Sequence, residues 1–138
     1  MRTPEGVYVA KTLVRVGYVD TDRAQVVHHS TYLRYLEAAR VEYLRERDYD
    51  FRAMELAQGL SLAVVEANVK YRAGARFDDL IELHTWIAVA NRAKLRFDTR
   101  IMRGDELLTA SEITVCCIKI PEAKLCSMPA ALIAFGPR

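Results

Sequence analysis

The sequence predicts an α+β fold in which an antiparallel five-stranded sheet wraps around one long helix. Three observations lead there: a strand-like run near the start, a single long helical stretch after it, and four further strand-like runs. A helix with one apolar stripe and strands with one apolar face each bury those surfaces by layering on one another. With 138 residues, 51% of them hydrophobic, the chain supports one core, and no repeat or linker divides it, so a single domain over 1–138 is expected.

The first strand is read from Val7 to Val19, on the alternation of Val14-Arg15-Val16-Gly17-Tyr18-Val19. Ser30 to Asp48 follows as helix, with Tyr32, Leu36, Ala39 and Tyr43 on one stripe, Leu33 and Leu44 beside it, and Arg34, Glu37, Glu42 and Arg45 on other faces. Ser30 and Thr31 are suitable N-caps. Phe51 to Gln58 reads as a short helix ended by Gly59. Leu62 to Tyr71 places Ala63, Val65, Ala67, Val69 and Tyr71 on one face. Leu80 to Val89 does the same with Ile81, Leu83, Thr85, Ile87 and Val89. Leu95, Phe97, Thr99 and Ile101 alternate with charged residues, and Arg103-Gly104-Asp105-Glu106 turns the chain into Leu107 to Ile120. Pro129 opens a last helix, Ala130 to Phe135.

Composition excludes several classes of function. A formal net charge of +2 with no basic run offers no nucleic-acid surface. No apolar run has the length of a membrane span, and Met1-Arg2-Thr3-Pro4-Glu5-Gly6 lacks a signal peptide's hydrophobic region, so a cytoplasmic location is expected. Cys116, Cys117 and Cys126 lack zinc-ligand spacing and read as free thiols, the first two in an apolar strand.

Chemistry concentrates in Asp20-Thr21-Asp22-Arg23-Ala24-Gln25-Val26-Val27-His28-His29, where two carboxylates leave a strand just before a helix begins. The first turn of a helix carries unpaired N–H groups and partial positive charge, which suit an oxyanion or a polarised carbonyl. A carboxylate there either caps the helix or acts on a substrate whose carbonyl sits on those amides. Neighbouring histidines on a helix diverge by roughly 100°, and His28 and His29 have no i, i+4 partner, so no metal site is expected.

The run Gly17-Tyr18-Val19-Asp20-Thr21-Asp22, followed by Val26-Val27, His29, Tyr32, Leu36-Glu37 and Arg40, resembles the signature of hotdog-fold acyl-CoA thioesterases. It is nearest the 4-hydroxybenzoyl-CoA and Tol-Pal-associated group, and the likeness extends to the four later strands and Pro129. The resemblance implies a hotdog domain that hydrolyses acyl-CoA, or acyl carrier protein, thioesters. Asp22 is then the nucleophile or general base, and the backbone amide at His29 contacts the carbonyl. No cofactor is implied beyond the coenzyme A of the substrate. One departure stands out: the family usually has glycine where this chain has Gln25, so a positive φ there implies strain.

Other residues carry two readings. Asp20 is expected to bond locally in the turn. Glu37, three residues before Arg40, is an exposed ion pair or, as in related hotdog enzymes, a helix-borne catalytic glutamate. Arg92 and Lys94 are candidates for holding a coenzyme A phosphate, or simply a solvated turn. Two other functions compete: a hotdog dehydratase acting on 3-hydroxyacyl thioesters, and a non-catalytic acyl-CoA-binding module, the latter favoured by the loss of glycine at Gln25. The strand after the long helix is expected to be an exposed edge that pairs with its own copy, giving a homodimer or homotetramer.

Overall fold

A computed structural model describes residues 3–137, so Met1 and Arg2 of the amino-terminal stretch read above lie outside the described residues. Strand β1 (Ala10–Arg15) leads through a 3-10 turn (Tyr18–Asp20) into helix α1 (His29–Glu46), then α2 (Phe51–Gln58). Strands β2 (Leu60–Tyr71), β3 (Leu80–Ala90), β4 (Leu95–Arg103), β5 (Glu106–Lys119) and β6 (Lys124–Cys126) follow, and α3 (Ala130–Ile133) ends the fold. Every pairing is antiparallel, in the order β1-β3-β4-β5-β2, with β6 paired to β5.

The layering is the expected one, with differences of detail. β1 is shorter than the alternation suggested, because Gly17 starts the 3-10 turn that ends the strand. A sixth strand, β6, takes the place of β4 beside the end of β5. It is three residues long, too short for periodicity to reveal. α2 has the predicted span: Asp50 Oδ1 accepts from Ala53 N–H at its start (2.9 Å), and Gly59 at φ 65° closes it.

α1 packs Tyr32, Leu36, Ala39, Tyr43 and Leu44 into the core, as its stripe predicts, but Tyr35 is buried as well and Leu33 is 47% exposed. Ile81, Leu83, Leu95, Phe97 and Ile101 meet them from the sheet, each large side chain contributing roughly 1.5–3 kcal/mol through burial.

Two β-bulges correct the predicted strand faces. In β2 the register against β5 shifts between Val64 and Glu66, leaving Val65 as the extra residue. Leu62 and Val64 therefore face α1 before the bulge, and Val69 and Tyr71 after it, so Ala63 and Val65 do not share the face of Ala67, Val69 and Tyr71. A second shift, between Ile87 and Val89, turns Ala90 rather than Val89 to the core. β2 is the expected edge strand, with Val64 and Val65 exposed along its open side.

Candidate active site

The acidic segment folds into a miniature hairpin. Asp22 N–H donates to Val26 O (3.0 Å), and Gln25 N–H donates to Asp22 O (2.9 Å). Thr21 bridges to Val27, and Val26 to Arg76. Gln25 sits at φ 64°, the left-handed position of a three-residue hairpin loop where glycine is usual. The expected strain is therefore present, at roughly 1 kcal/mol for a residue with a Cβ. Gln25→Gly should leave the thermal midpoint unchanged or raise it by a few degrees and keep activity. Calorimetry and a thioester assay check this; collapse of turnover in a stable Gln25→Gly protein would make the glutamine side chain functional.

Asp20 and Asp22 have different surroundings. Asp20 is buried, and its carboxylate accepts from Tyr35 Oη (2.8 Å) and Gly17 N–H (3.1 Å) while pairing with Arg34. Its backbone carbonyl accepts from His28 N–H (3.1 Å), so this residue ties the 3-10 turn to the start of α1. Burial by itself would raise its pKa, but the bonds from Tyr35 and Gly17 and the Arg34 guanidinium outweigh that and hold it below the usual carboxylate range. A lowered folded pKa means the stability from Asp20 is complete above the unfolded value, about 3.9, and is lost as pH falls through the folded one. Asp20→Asn should thus lower stability at neutral pH and flatten its acid limb below about pH 4 in denaturant titrations. An unchanged acid limb would contradict the anchoring role.

Asp22 is exposed. Its Oδ1 accepts from Ala24 N–H (2.8 Å), and its Oδ2 meets no partner among the described residues. The carboxylate thus closes the hairpin turn and does not cap α1, whose N-cap is His28.

The strand from Asp22 leads directly into α1, where His28 is the N-cap: its Nδ1 accepts from Ser30 N–H (3.2 Å), the role the sequence suggested for Ser30 or Thr31. His29 is the first helical residue, and its N–H has no acceptor among the described residues. Its imidazole lies over that of His28, centroids 4.1 Å apart. Tyr71, at the end of β2, donates from its hydroxyl to His29 O (3.2 Å) and packs edge-on against Tyr32. The hydroxyl of Tyr32 accepts from Ala75 N–H (3.0 Å). These residues border a cleft of about 300 Å³ lined by Val27, His29, Tyr32, Tyr71, Arg72 and Gly74. A larger hollow of about 540 Å³ lies at the junction of α1 and α2, away from Asp22.

The remaining candidates lie elsewhere in the protomer. Glu37 is two helical turns beyond His29, roughly 12 Å along the axis. It lines a separate 80 Å³ crevice with Arg40, Leu44, Phe51, Leu62 and Val64, and closes no ion pair with Arg40 among the described residues. Burial lowers the pKa of Arg40, and Glu37 opposes that through space. Arg92 and Lys94 occupy the β3–β4 turn, shaped by Asn91 Oδ1 accepting from Ala93 N–H (2.9 Å) and Lys94 N–H (3.0 Å). That turn is at the far end of β3 from Asp22, the length of an 11-residue strand, about 35 Å. His84 pairs with Glu82 on the sheet face away from α1. The sequence reading missed the clamp of Arg34 and Tyr35 on Asp20 and the latch of Tyr71 on His29. Neither has a local sequence signal beyond a buried tyrosine in phase with the apolar stripe.

Comparison with known proteins bears on the family and the fold. The thioesterase-like superfamily matches residues 14–135. The acyl-CoA thioester hydrolase YbgC of Escherichia coli is 34% identical over 88% of this chain and 90% of its own. The acyl-CoA thioesterase YbgC of Haemophilus influenzae is 33% identical over 84% and 85%. The crystal structure of a hypothetical protein from Thermus thermophilus superposes with a TM-score of 0.84 at 33% identity, covering 91% of this chain and 95% of that one. A strand order with β2 at the open edge, α1 against the sheet and a match over nearly the whole length lead to one assignment: the chain belongs to the thioesterase-like superfamily and has its hotdog fold.

Proposed function

We propose that this protein hydrolyses acyl-CoA thioesters, with Asp22 as the reacting carboxylate and the His29 N–H as the donor to the thioester carbonyl. The observation that carries the reading is the free Asp22 Oδ2 on a hairpin that runs into the unengaged first amide of α1, beside an open cleft. A thioester is already activated, so few groups are needed. A preorganised oxyanion donor contributes about 10²–10³ in rate and a positioned base about 10²–10⁴. Asp22 either attacks the carbonyl carbon, giving a mixed anhydride that water cleaves, or takes a proton from the attacking water. In both routes the negative oxygen forms on the helix amide and coenzyme A leaves as its thiolate. Glu37 serves as base only if the acyl group reaches the second crevice.

Two copies complete the arrangement in this proposal. If the open β2 edges meet antiparallel, the end of one lies beside the start of the other. The turn carrying Arg92 and Lys94 in one copy then reaches the end of the joint sheet that carries Asp22 in the other, where coenzyme A phosphates are held. Acyl carrier protein thioesters fit the same chemistry, the coenzyme A of the substrate is the only cofactor required, and free thiols suit a cytoplasmic location. No helix among the described residues is long and apolar enough to cross a membrane. Gln25 does not favour a mere binding module, because it keeps the positive φ that glycine would take. Release of free thiol from a panel of acyl-CoAs tests the function, and a folded oligomer that cleaves none would overturn it.

A further inference from the structure

Away from the candidate site, β5 and β6 bring two thiols together. Cys117 and Cys126 are direct cross-strand partners, and their sulfurs are 3.2 Å apart. Cys117 is fully buried, and Cys126 is half-buried on the short outer strand. Cys116 is adjacent in sequence but points to the opposite face of the sheet.

We propose that Cys117 and Cys126 form a redox-sensitive pair that closes to an intrachain disulfide when hydrogen peroxide reaches Cys126. In the first step the Cys126 thiolate attacks the peroxide O–O bond, giving a sulfenic acid and releasing one water after proton uptake. In the second, the Cys117 sulfur attacks the Cys126 sulfur, the S–O bond breaks, and the Cys117 proton leaves with the hydroxide as a second water. Two thiols and one peroxide thus become one disulfide and two waters. The order of events follows from burial. Cys117 is shielded, and burial together with the neighbouring Cys126 pushes its thiol up to about 12, so it waits protonated while Cys126 meets the oxidant. The sulfurs then close by roughly 1 Å to bonding distance, within reach of small side-chain rotations.

The bond would fasten the chain after β5 to the sheet. β6 leads to Met128, whose N–H donates to Arg92 O (2.9 Å), and on to Leu132, buried in the core. Reversible cross-linking at this point ties β6, and the carboxy-terminal segment after it, to β5, away from the Asp22 cleft.

The test uses reduced native protein, exposed to hydrogen peroxide, blocked with N-ethylmaleimide and digested with trypsin without reductant. Cleavage after Lys119 and Lys124 separates the two cysteines unless they are joined. The expected product is a Cys117–Cys126 linked peptide, and before blocking the intact protein should be lighter by about 2 Da. The thermal midpoint should rise by about 5 °C, and dithiothreitol should reverse the rise. Cys116→Ser should keep the cross-link and Cys126→Ser should abolish it. Intermolecular disulfides, or oxidation of Cys126 to a sulfinic acid with Cys117 left reduced, would overturn the proposal, and the wild-type digest decides between these outcomes even if a variant fails to fold.

Discussion

Asp22→Asn is expected to lower kcat for acyl-CoA hydrolysis by about 10²-fold or more while leaving the thermal midpoint and circular dichroism near wild type. The amide keeps a carbonyl oxygen in the place of Oδ1, so the bond from Ala24 N–H that shapes the turn survives. What disappears is the anionic oxygen, and with it either the nucleophile or the base. Single-turnover measurements of thiol release on the most reactive acyl-CoA of the panel would give the effect directly. A folded Asp22→Asn protein with unchanged turnover would remove Asp22 from the chemistry and leave Glu37 as the next carboxylate. The paired control is Asp20→Asn. Its carboxylate is already engaged by Tyr35, Gly17 and Arg34, so its loss should act mainly on stability and change turnover less than Asp22→Asn does.

Val69→Pro should abolish most of the activity and yield smaller species or aggregate, because proline removes an N–H from within the strand proposed to join two copies. Val69 pairs with Ser111 in regular register, so its N–H belongs either to the β2–β5 ladder or to the open edge. Val65→Pro should be milder. Val65 is the unpaired residue of the bulge and 61% exposed, a setting in which proline is tolerated. Sedimentation together with the thioester assay separates the outcomes. Wild-type protein should sediment as at least a dimer, and a tetramer fits through back-to-back packing of two dimers. A fully active wild-type monomer at assay concentration would refute the shared site. The physical basis is the length of bare edge: Val64, Val65 and Tyr71 are exposed along a 12-residue strand with no proline or glycine to interrupt pairing.

The sequence by itself determined the layering, the long helix, the short capped helix before Gly59 and the position of the acidic segment at the entry to α1. These follow from information carried within a few residues: a 3.6-residue stripe, a two-residue alternation, an Asp50 cap and a glycine that accepts a left-handed conformation. The strain at Gln25 was legible only through the resemblance, which places a glycine there; the three-residue hairpin loop that demands the positive φ is seen only in the structure. Tertiary structure decided the rest. The bulges at Val65 and Ala88 depend on how β2 meets β5 and β3 meets β4, and one extra residue reverses which side chains face α1, a choice that alternation within a single strand cannot register. β6 exists only because β4 ends where β5 continues, leaving backbone groups for three residues to pair. The same holds for the surroundings of the two aspartates: they are two residues apart in sequence, yet one meets an arginine and a tyrosine from the second turn of α1 and is buried, while the other is exposed and bonds only within its own turn. That division is made by partners 14 and 15 residues away, whose approach depends on the packing of the helix against the sheet.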